Sequence, residues 1–356
     1  MVTKGQDSKT VKKQKQKYSI FKDLTKNLCS AAMKKRVGAY NRGKPQKRRK
    51  ECSMYELKKV GENSFYIDCP AKIGVVRKGG TSIHTCGIGA SGDVWLIDSG
   101  SDKDAAKKVK QAIEPMNWKV QAIYNTHSHA DHIGGNKYFQ DQTGCKIYAP
   151  GLERSFTEAP ILEPMYLYGA MPMKELQNKF LCAKESVAEP LTKEALPDGW
   201  EMIPLPGHSF DMVGFRTPDN VVYLADALSS AEVLEKYKVG FLCDVGAYLE
   251  TLERVKTMEA AMFVPSHAEA TENITPLAEL NIKTTLAVAE KIESFCASTK
   301  TFEEIVKATF DSYGLTMSLQ QYVLLGSTIK AYLTWLRSQG RVDFEFTDNK
   351  MIWRKA

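Results

Sequence analysis

The sequence predicts an α/β fold in which helices cover the outer faces of a sheet, followed by a small α+β unit. Three observations predict it. Strand-like segments come first in a run and then alternate with helical ones, twice over. After Pro276 the text changes to three helical segments and a terminal hairpin. The 356 residues are 43% hydrophobic, enough to bury a substantial core, yet no run of about 18 apolar residues occurs to cross a membrane.

Tyr55–Val60 and Ser64–Asp68 read as strands around the turn Gly61-Glu62-Asn63. Ile73–Val76 and Val94–Ile97 follow, separated by a glycine-rich loop from Gly79 to Gly92. Asp102–Met116 carries Ala105, Ala106, Val109, Ala112 and Ile113 at helical spacing. A strand over Val120–Asn125 runs into Thr126-His127-Ser128-His129, then a helix is expected from His132 to Asp141 and a strand at Lys146–Ala149. The region 150–198 holds Pro160, Pro164, Pro172, Pro190 and Pro197 with helical stretches between them, and is expected to be a lid-like insert. Strands resume at Met202–Leu205, Val213–Thr217 and Val221–Leu224, followed by a helix over Ala247–Met258 and a strand at Met262–Pro265.

The last segment, 276–356, has helical patterns at Leu277–Cys296, Thr301–Tyr313 and Ser318–Gln339. The second opens with a capping-box pattern, Thr301 to Glu304, and the third closes at Gly340. Arg341–Phe346 and Lys350–Arg354 form a hairpin about Thr347-Asp348-Asn349, so the outline is that of a winged-helix-like domain. The main domain is expected over 54–275.

The net charge of +7 belongs to one end of the chain. Residues 1–50 hold 17 Lys and Arg against Asp7 and Asp23, a balance of +15, and the remainder carries −8. Segments such as Lys9–Lys17 and Lys44–Lys50 cannot build a core, so 1–53 is expected to be a basic, disordered extension. Its functional readings are an anionic-surface or nucleic-acid anchor or a nuclear-localisation patch; a mitochondrial leader fits poorly, and an upstream start codon is the plain alternative. The eight cysteines are scattered without a CxxC pair, and none falls where it would complete a metal cage. They are expected to be reduced thiols in a cytoplasmic protein.

The segment His127-Ser128-His129-Ala130-Asp131-His132 places four metal-binding side chains within six residues at the end of a strand. They converge only if the chain turns sharply there, and imidazole with carboxylate suits zinc and tolerates iron or manganese. The chain has six histidines; besides these three and His84, His208 and His267 each follow an expected strand, and Asp226 ends another.

This set, with Asp98 in Leu96-Ile97-Asp98-Ser99-Gly100, resembles the metallo-β-lactamase-fold hydrolases, and within them the glyoxalase II-like branch, over roughly 54–275. The resemblance implies a four-layer αββα fold with two zinc ions, iron or manganese being alternatives. By that resemblance His127, His129 and His208 bind one metal, Asp131, His132 and His267 the other, and Asp226 bridges them. Asp131 also orients the nucleophile, and Asp98 fixes a ligand imidazole by accepting its other N–H. Two divalent cations bring the pKa of a shared water to about 7 or below, so a metal-bound hydroxide is available near neutral pH. The true β-lactamases of this superfamily do not use such an aspartate bridge, and the flavo-diiron branch has glutamate where this chain has His129, so neither activity is expected.

The expected reaction is hydrolysis of a thioester, ester or lactone of a small molecule; the alternatives are a metal-dependent endoribonuclease and a non-catalytic binding protein. Met165, Tyr166, Tyr168, Met171, Met173 and Phe180 give the insert an apolar set to shape a pocket, or simply to pack it onto the domain. Glyoxalase II proper binds glutathione through a C-terminal helical region, and the different C-terminus here sets glutathione thioesters aside. Residues 276–356 hold 10 basic and 9 acidic side chains, which does not favour nucleic acid as partner. Packing, homodimer formation or walling the active site is the role expected of them.

Overall fold

The computed structural model describes residues 54–78 and 92–356. The basic extension over 1–53, His84 and nearly all of the glycine-rich loop lie outside the described residues.

Strands β1 (Glu56–Lys59), β2 (Ser64–Asp68), β3 (Ile73–Arg77) and β4 (Gly92–Ile97) pair antiparallel in sequence order. Strands β5 (Trp118–Tyr124), β6 (Lys146–Ala149) and the two-residue β7 (Glu189–Pro190) extend this sheet in parallel. A second sheet has the order β11-β10-β9-β8, built from β8 (Glu201–Pro204), β9 (Val213–Arg216), β10 (Val221–Ser229) and β11 (Met262–His267). Its last pair, β10 with β11, is parallel.

Side-chain alternation along the strands divides the core into layers. Tyr66, Val76, Ile97 and Tyr124 of the first sheet meet Val213, Phe215, Tyr223 and Val264 of the second, so the sheets pack face to face. Their neighbours Phe65, Ile67, Val75 and Ile123 point the other way, onto Ala106, Val109 and Ile113 of α1 (Lys103–Ile113) and Phe139 of α3 (Asn136–Thr143). On the far side, Val222 and Leu224 pack against Leu252 of α7 (Val245–Lys256) and Ala289 and Ile292 of α8 (Thr275–Phe295). The result is helix, sheet, sheet, helix, the four layers implied by the resemblance.

Two departures from the sequence pattern shape the site. The helix expected from His132 to Asp141 is two, α2 (Ala130–Ile133) and α3, broken at Gly134-Gly135. The cause is tertiary: a Cβ on either glycine would lie 2.2 Å from the carbonyl oxygen of Ser101 or Ser99. Strand β10 also runs past Asp226 to Ser229 instead of ending there. Ala225 takes a left-handed backbone (φ 49°), and the pairing with β11 shifts register on both sides of it, which re-aims Asp226.

The insert contains α4 (Gly151–Glu158) and α5 (Leu162–Tyr168). A seven-residue helix not expected from the sequence, α6 (Ala231–Tyr237), follows β10, capped by Ser230. The C-terminal elements are α8, α9 (Phe302–Tyr313) with the expected Thr301–Glu304 capping box, and α10 (Leu319–Ser338). A three-stranded sheet follows, order β12-β14-β13, from β12 (Lys300–Thr301), β13 (Val342–Thr347) and β14 (Lys350–Lys355). Ile305, Phe310, Ile329, Leu333 and Trp353 from these elements share one continuous core with Leu224, Leu228 and Val245. The insert packs on α10 through Leu167, Leu176, Leu181 and Val323.

Candidate metal centre

The C-terminal ends of β4, β5 and β11, the loop between β8 and β9, and the bulge in β10 deliver the candidate residues to one place. Two groups form, His127 with His129 and His208, and Asp131 with His132, Asp226 and His267; within each group the metal-binding atoms lie within 4.8 Å of one another. Every ligand candidate named from the sequence is therefore in one of the two groups. His127 and His132 are fully buried, and the Asp131 side chain is the most open of the set. The loop carrying His208 reaches this position because Gly207 (φ +120°) presses against α7; a Cβ there would lie 2.3 Å from the backbone nitrogen of Tyr248.

Hydrogen-bond chemistry fixes the tautomers of two rings of the first group, His127 and His208. The hydroxyl of Thr126 donates to Asp98 Oδ2 (2.8 Å), so it can only accept from Nδ1–H of His127 (3.0 Å). The Nδ1–H of His208 donates to the carbonyl of Phe241 (3.1 Å). The Nε2 atoms of His127 and His208 are then bare lone pairs, yet they lie 3.1 and 2.9 Å from Nδ1 of His129. That nitrogen carries at most one proton, so at least one of the converging lone pairs has no donor. A cation resolves the conflict: tetrahedral zinc with Zn–N of about 2.0–2.1 Å spaces its ligands at about 3.3 Å.

In the second group, Asp98 accepts from His132 Nδ1–H (2.7 Å) as well as from the N–H of Thr126 (2.8 Å). The contact places Asp98 against the imidazole nitrogen of His132 that faces away from Asp226. Asp98 is buried and sits at φ 64°, a strained setting for a side chain with this task. His267 Nδ1–H donates to the Pro70 carbonyl (2.9 Å), which leaves its Nε2 3.1 Å from Asp226 Oδ2 and 3.4 Å from Asp131 Oδ2. The Asp226 carboxylate lies between the groups: Oδ1 is 3.0 Å from His132 Nε2, and Oδ2 is 3.4 Å from His208 Nε2. His132 Nε2 and Asp226 Oδ1 are buried and, despite their proximity, neither has a hydrogen-bond partner among the described residues. Orphaned donor atoms of this kind fit a bound divalent cation.

Electrostatics separates the groups. Burial, aided by the neighbouring imidazoles, holds His127 well below the usual imidazole range and pushes His129 and His208 down to about 4. These three rings are neutral at pH 7 and ready to bind metal. For His132 and His267 burial is again the largest single effect, but the carboxylates of Asp226 and Asp131 together outweigh it; His132 rises well above the usual range and His267 to about 10. Burial also opposes the charges of Asp131 and Asp226, and the same two imidazoles overcome it, so both carboxyls are lowered.

Sequence reasoning did not find the surroundings. Glu163 of α5 places Oε1 3.6 Å from His129 Nε2; burial, then the charge of Glu153, raises its pKa to about 8. Glu153 of α4 is wholly buried beside the ligand loops. The Phe241 ring lies against both His129 and His208 (centroids 5.3 and 5.9 Å). None of these residues carries a motif, because each reaches the site only through the fold of the insert or of the loop before α7. Each N–H of Cys243 and Asp244 donates to the Gly207 carbonyl, Asp244 caps α7, and both border a cleft of about 730 Å³.

A family model described as the metallo-beta-lactamase superfamily matches residues 88–267. Among similar proteins, "Probable metallo-hydrolase YybB" of Bacillus subtilis is 25% identical over 217 residues, 59% of this chain and 88% of its own length. A hydroxyacylglutathione hydrolase of Hyphomonas neptunium is 44% identical over 63 residues, 18% of this chain, so the chain spans only 23% of that relative's length. Among solved structures, a beta-lactamase domain protein from Burkholderia ambifaria aligns with a TM-score of 0.65 at 16% identity, covering 87% of this chain and 97% of that one. A metallo-beta-lactamase family protein from Thermus thermophilus aligns at 0.59 and 18% identity over 80% and 94% of the two chains. These two likenesses are of fold.

Proposed function

The chain belongs to the metallo-beta-lactamase superfamily, and from that premise we propose that it is a binuclear metal-dependent hydrolase acting on a thioester, ester or lactone of a small molecule. One observation carries the reading: a single buried carboxylate, Asp226, lies within 3.4 Å of imidazole nitrogens from both groups, and one of its oxygens has no hydrogen-bond partner among the described residues. In this reading His127, His129 and His208 hold one ion, Asp131, His132 and His267 the other, and Asp226 both. Two zinc ions suit the nitrogen-rich donor set, with iron or manganese as substitutes. When bound, the metals supply an activated water at neutral pH and electrostatic stabilisation of charge developing on the substrate oxygen.

The chain's own residues do the rest. Asp131 turns Oδ2 toward His267 and His132, which leaves Oδ1 to accept a hydrogen bond from the attacking water and orient it. Asp98 holds the His132 ring by its Nδ1–H. Tyr166 of the insert and Trp335 and Lys330 of α10 line the 730 Å³ cleft together with Cys243 and Asp244, whose N–H groups donate to the carbonyl of Gly207, the residue before His208. That cleft is of a size to hold the body of a small substrate. In this reading α10 supplies one wall of the substrate cleft.

The basic extension favours RNA as a second substrate class. A panel of thioesters, esters and lactones set against single-stranded RNA, each with and without chelator, decides. Chelator-sensitive ester turnover that is insensitive to salt supports the small-molecule reading. RNA cleavage that falls steeply with salt and requires 1–53 replaces it.

A further inference from the structure

We propose that Glu153 is a positioning residue that clamps the two loops of the first metal group into register, an inference that rests on the binuclear reading above. Glu153 is wholly buried in α4, belongs to neither ligand group, and its carboxylate hydrogen-bonds to Ser128, Ser209 and Asp211. Its Oε2 accepts the N–H of Ser128 (3.0 Å) and the Ser128 hydroxyl (2.5 Å). Its Oε1 accepts the Ser209 hydroxyl (2.5 Å) and the N–H of Asp211 (3.1 Å). Ser128 stands between His127 and His129, and Ser209 follows His208. One carboxylate therefore joins, through four hydrogen bonds, segments 81 residues apart that carry the three histidines of one group. A reciprocal bond, Leu152 N–H to Asp211 Oδ2 (2.7 Å), docks the start of α4 on the second loop.

The chemistry explains why the group is an acid. Burying a carboxylate without a cation is costly, and no Lys or Arg pairs with Glu153 among the described ion pairs. Four donors compensate it, two on each loop, and only an ionised carboxylate accepts from all four sides. Glutamine of the same shape presents an amide NH2 to one loop, where two donors already point at it. The clamp sets the spacing of the His127, His129 and His208 nitrogens. It makes no bond to the second group, so its loss weakens one metal site selectively.

The test is a stepwise Zn2+ competition titration against a chromophoric chelator on the metal-free full chain. The His127→Ala variant identifies which step belongs to the first group. Glu153→Gln is expected to weaken that step about 10- to 100-fold, the usual effect of removing a group that orients a ligand, and to leave the other step unchanged. Co2+ absorption of the first site should shift in parallel, a signature that a purely structural role would not move. Should Glu153→Gln fail to fold, Ser128→Ala and Ser209→Ala decide. Each should weaken the first step, and the double variant should cost little more than either single, because one released loop already opens the clamp. Equal weakening of both steps, unchanged affinities or strict additivity overturns the proposal. Wild-type chain that takes up no Zn2+ overturns the binuclear reading with it, whereas normal wild-type loading matched by Glu153→Gln overturns the clamp alone.

Discussion

Asp98→Asn isolates the work of one carboxylate without disturbing the backbone. Asn tolerates the left-handed φ of 64° about as well as Asp does, so the turn after β4 should persist. Asp98 accepts three hydrogen bonds, from His132 Nδ1–H at 2.7 Å and from the Thr126 N–H and hydroxyl at 2.8 Å each. An amide offers one acceptor oxygen. If that oxygen serves the Thr126 N–H, the NH2 meets His132 Nδ1–H donor to donor. The ring must then give up the bond or move its proton to Nε2, the atom that faces Asp226. A charge-assisted bond contributes about 1.5–3 kcal/mol, which converts to roughly 10- to 150-fold in an equilibrium constant. Affinity for the second metal should fall by that factor, measured by chelator competition on the full chain, while affinity for the first stays within a few-fold. Loss of hydrolytic turnover should follow the loss of metal and be restored by excess Zn2+. Unchanged affinity at both steps would refute the assignment of Asp98 as the group that orients His132.

Three further outcomes concern the loop, the thiols and the cleft. Gly207→Ala puts a Cβ 2.3 Å from the Tyr248 nitrogen at φ +120°, so it should lower Tm by several degrees, at about 2–4 °C per kcal/mol for a chain of this size, and weaken the first metal step; an unchanged melt would mean the loop yields freely. Burial pushes the thiols of Cys243 and Cys296 up to about 12 and about 11, so alkylation at these two positions of the native protein, read by peptide mass spectrometry, should be slow at pH 8 and rise only as pH nears those values; rapid labelling of either at pH 8 would contradict it. Tyr166→Ala, at a half-exposed residue lining the cleft, should raise KM about tenfold for a bulky ester with little change in Tm; a large Tm loss with constant KM would assign Tyr166 to packing alone.

What could be read from the sequence follows from where the signal lies. The two-sheet architecture is legible because Phe65, Tyr66 and Ile67, or Val222, Tyr223 and Leu224, occupy strands with well-marked turns. The two-residue strands β7 and β12 have no pattern to detect; they exist by pairing with β6 and β14. The break between α2 and α3 depends on the carbonyls of Ser99 and Ser101 pressing on two glycines, a contact that local propensity does not contain. The candidate ligands stand out because three histidines and Asp131 fall within six residues just past β5, while His208 follows β8 and His267 ends β11. Glu153 and Glu163 do not stand out, since a glutamate in an amphipathic helix looks solvated until the fold buries it against a ligand loop.

The central claim is that two metal ions sit around Asp226. Elemental analysis of purified full-length protein, alongside Asp226→Ala, tests it most directly. Close to two ions per chain are expected, at least one of them lost in the variant together with hydrolysis. Wild-type protein that turns over its substrate without metal, or Asp226→Ala that keeps both ions, would contradict it.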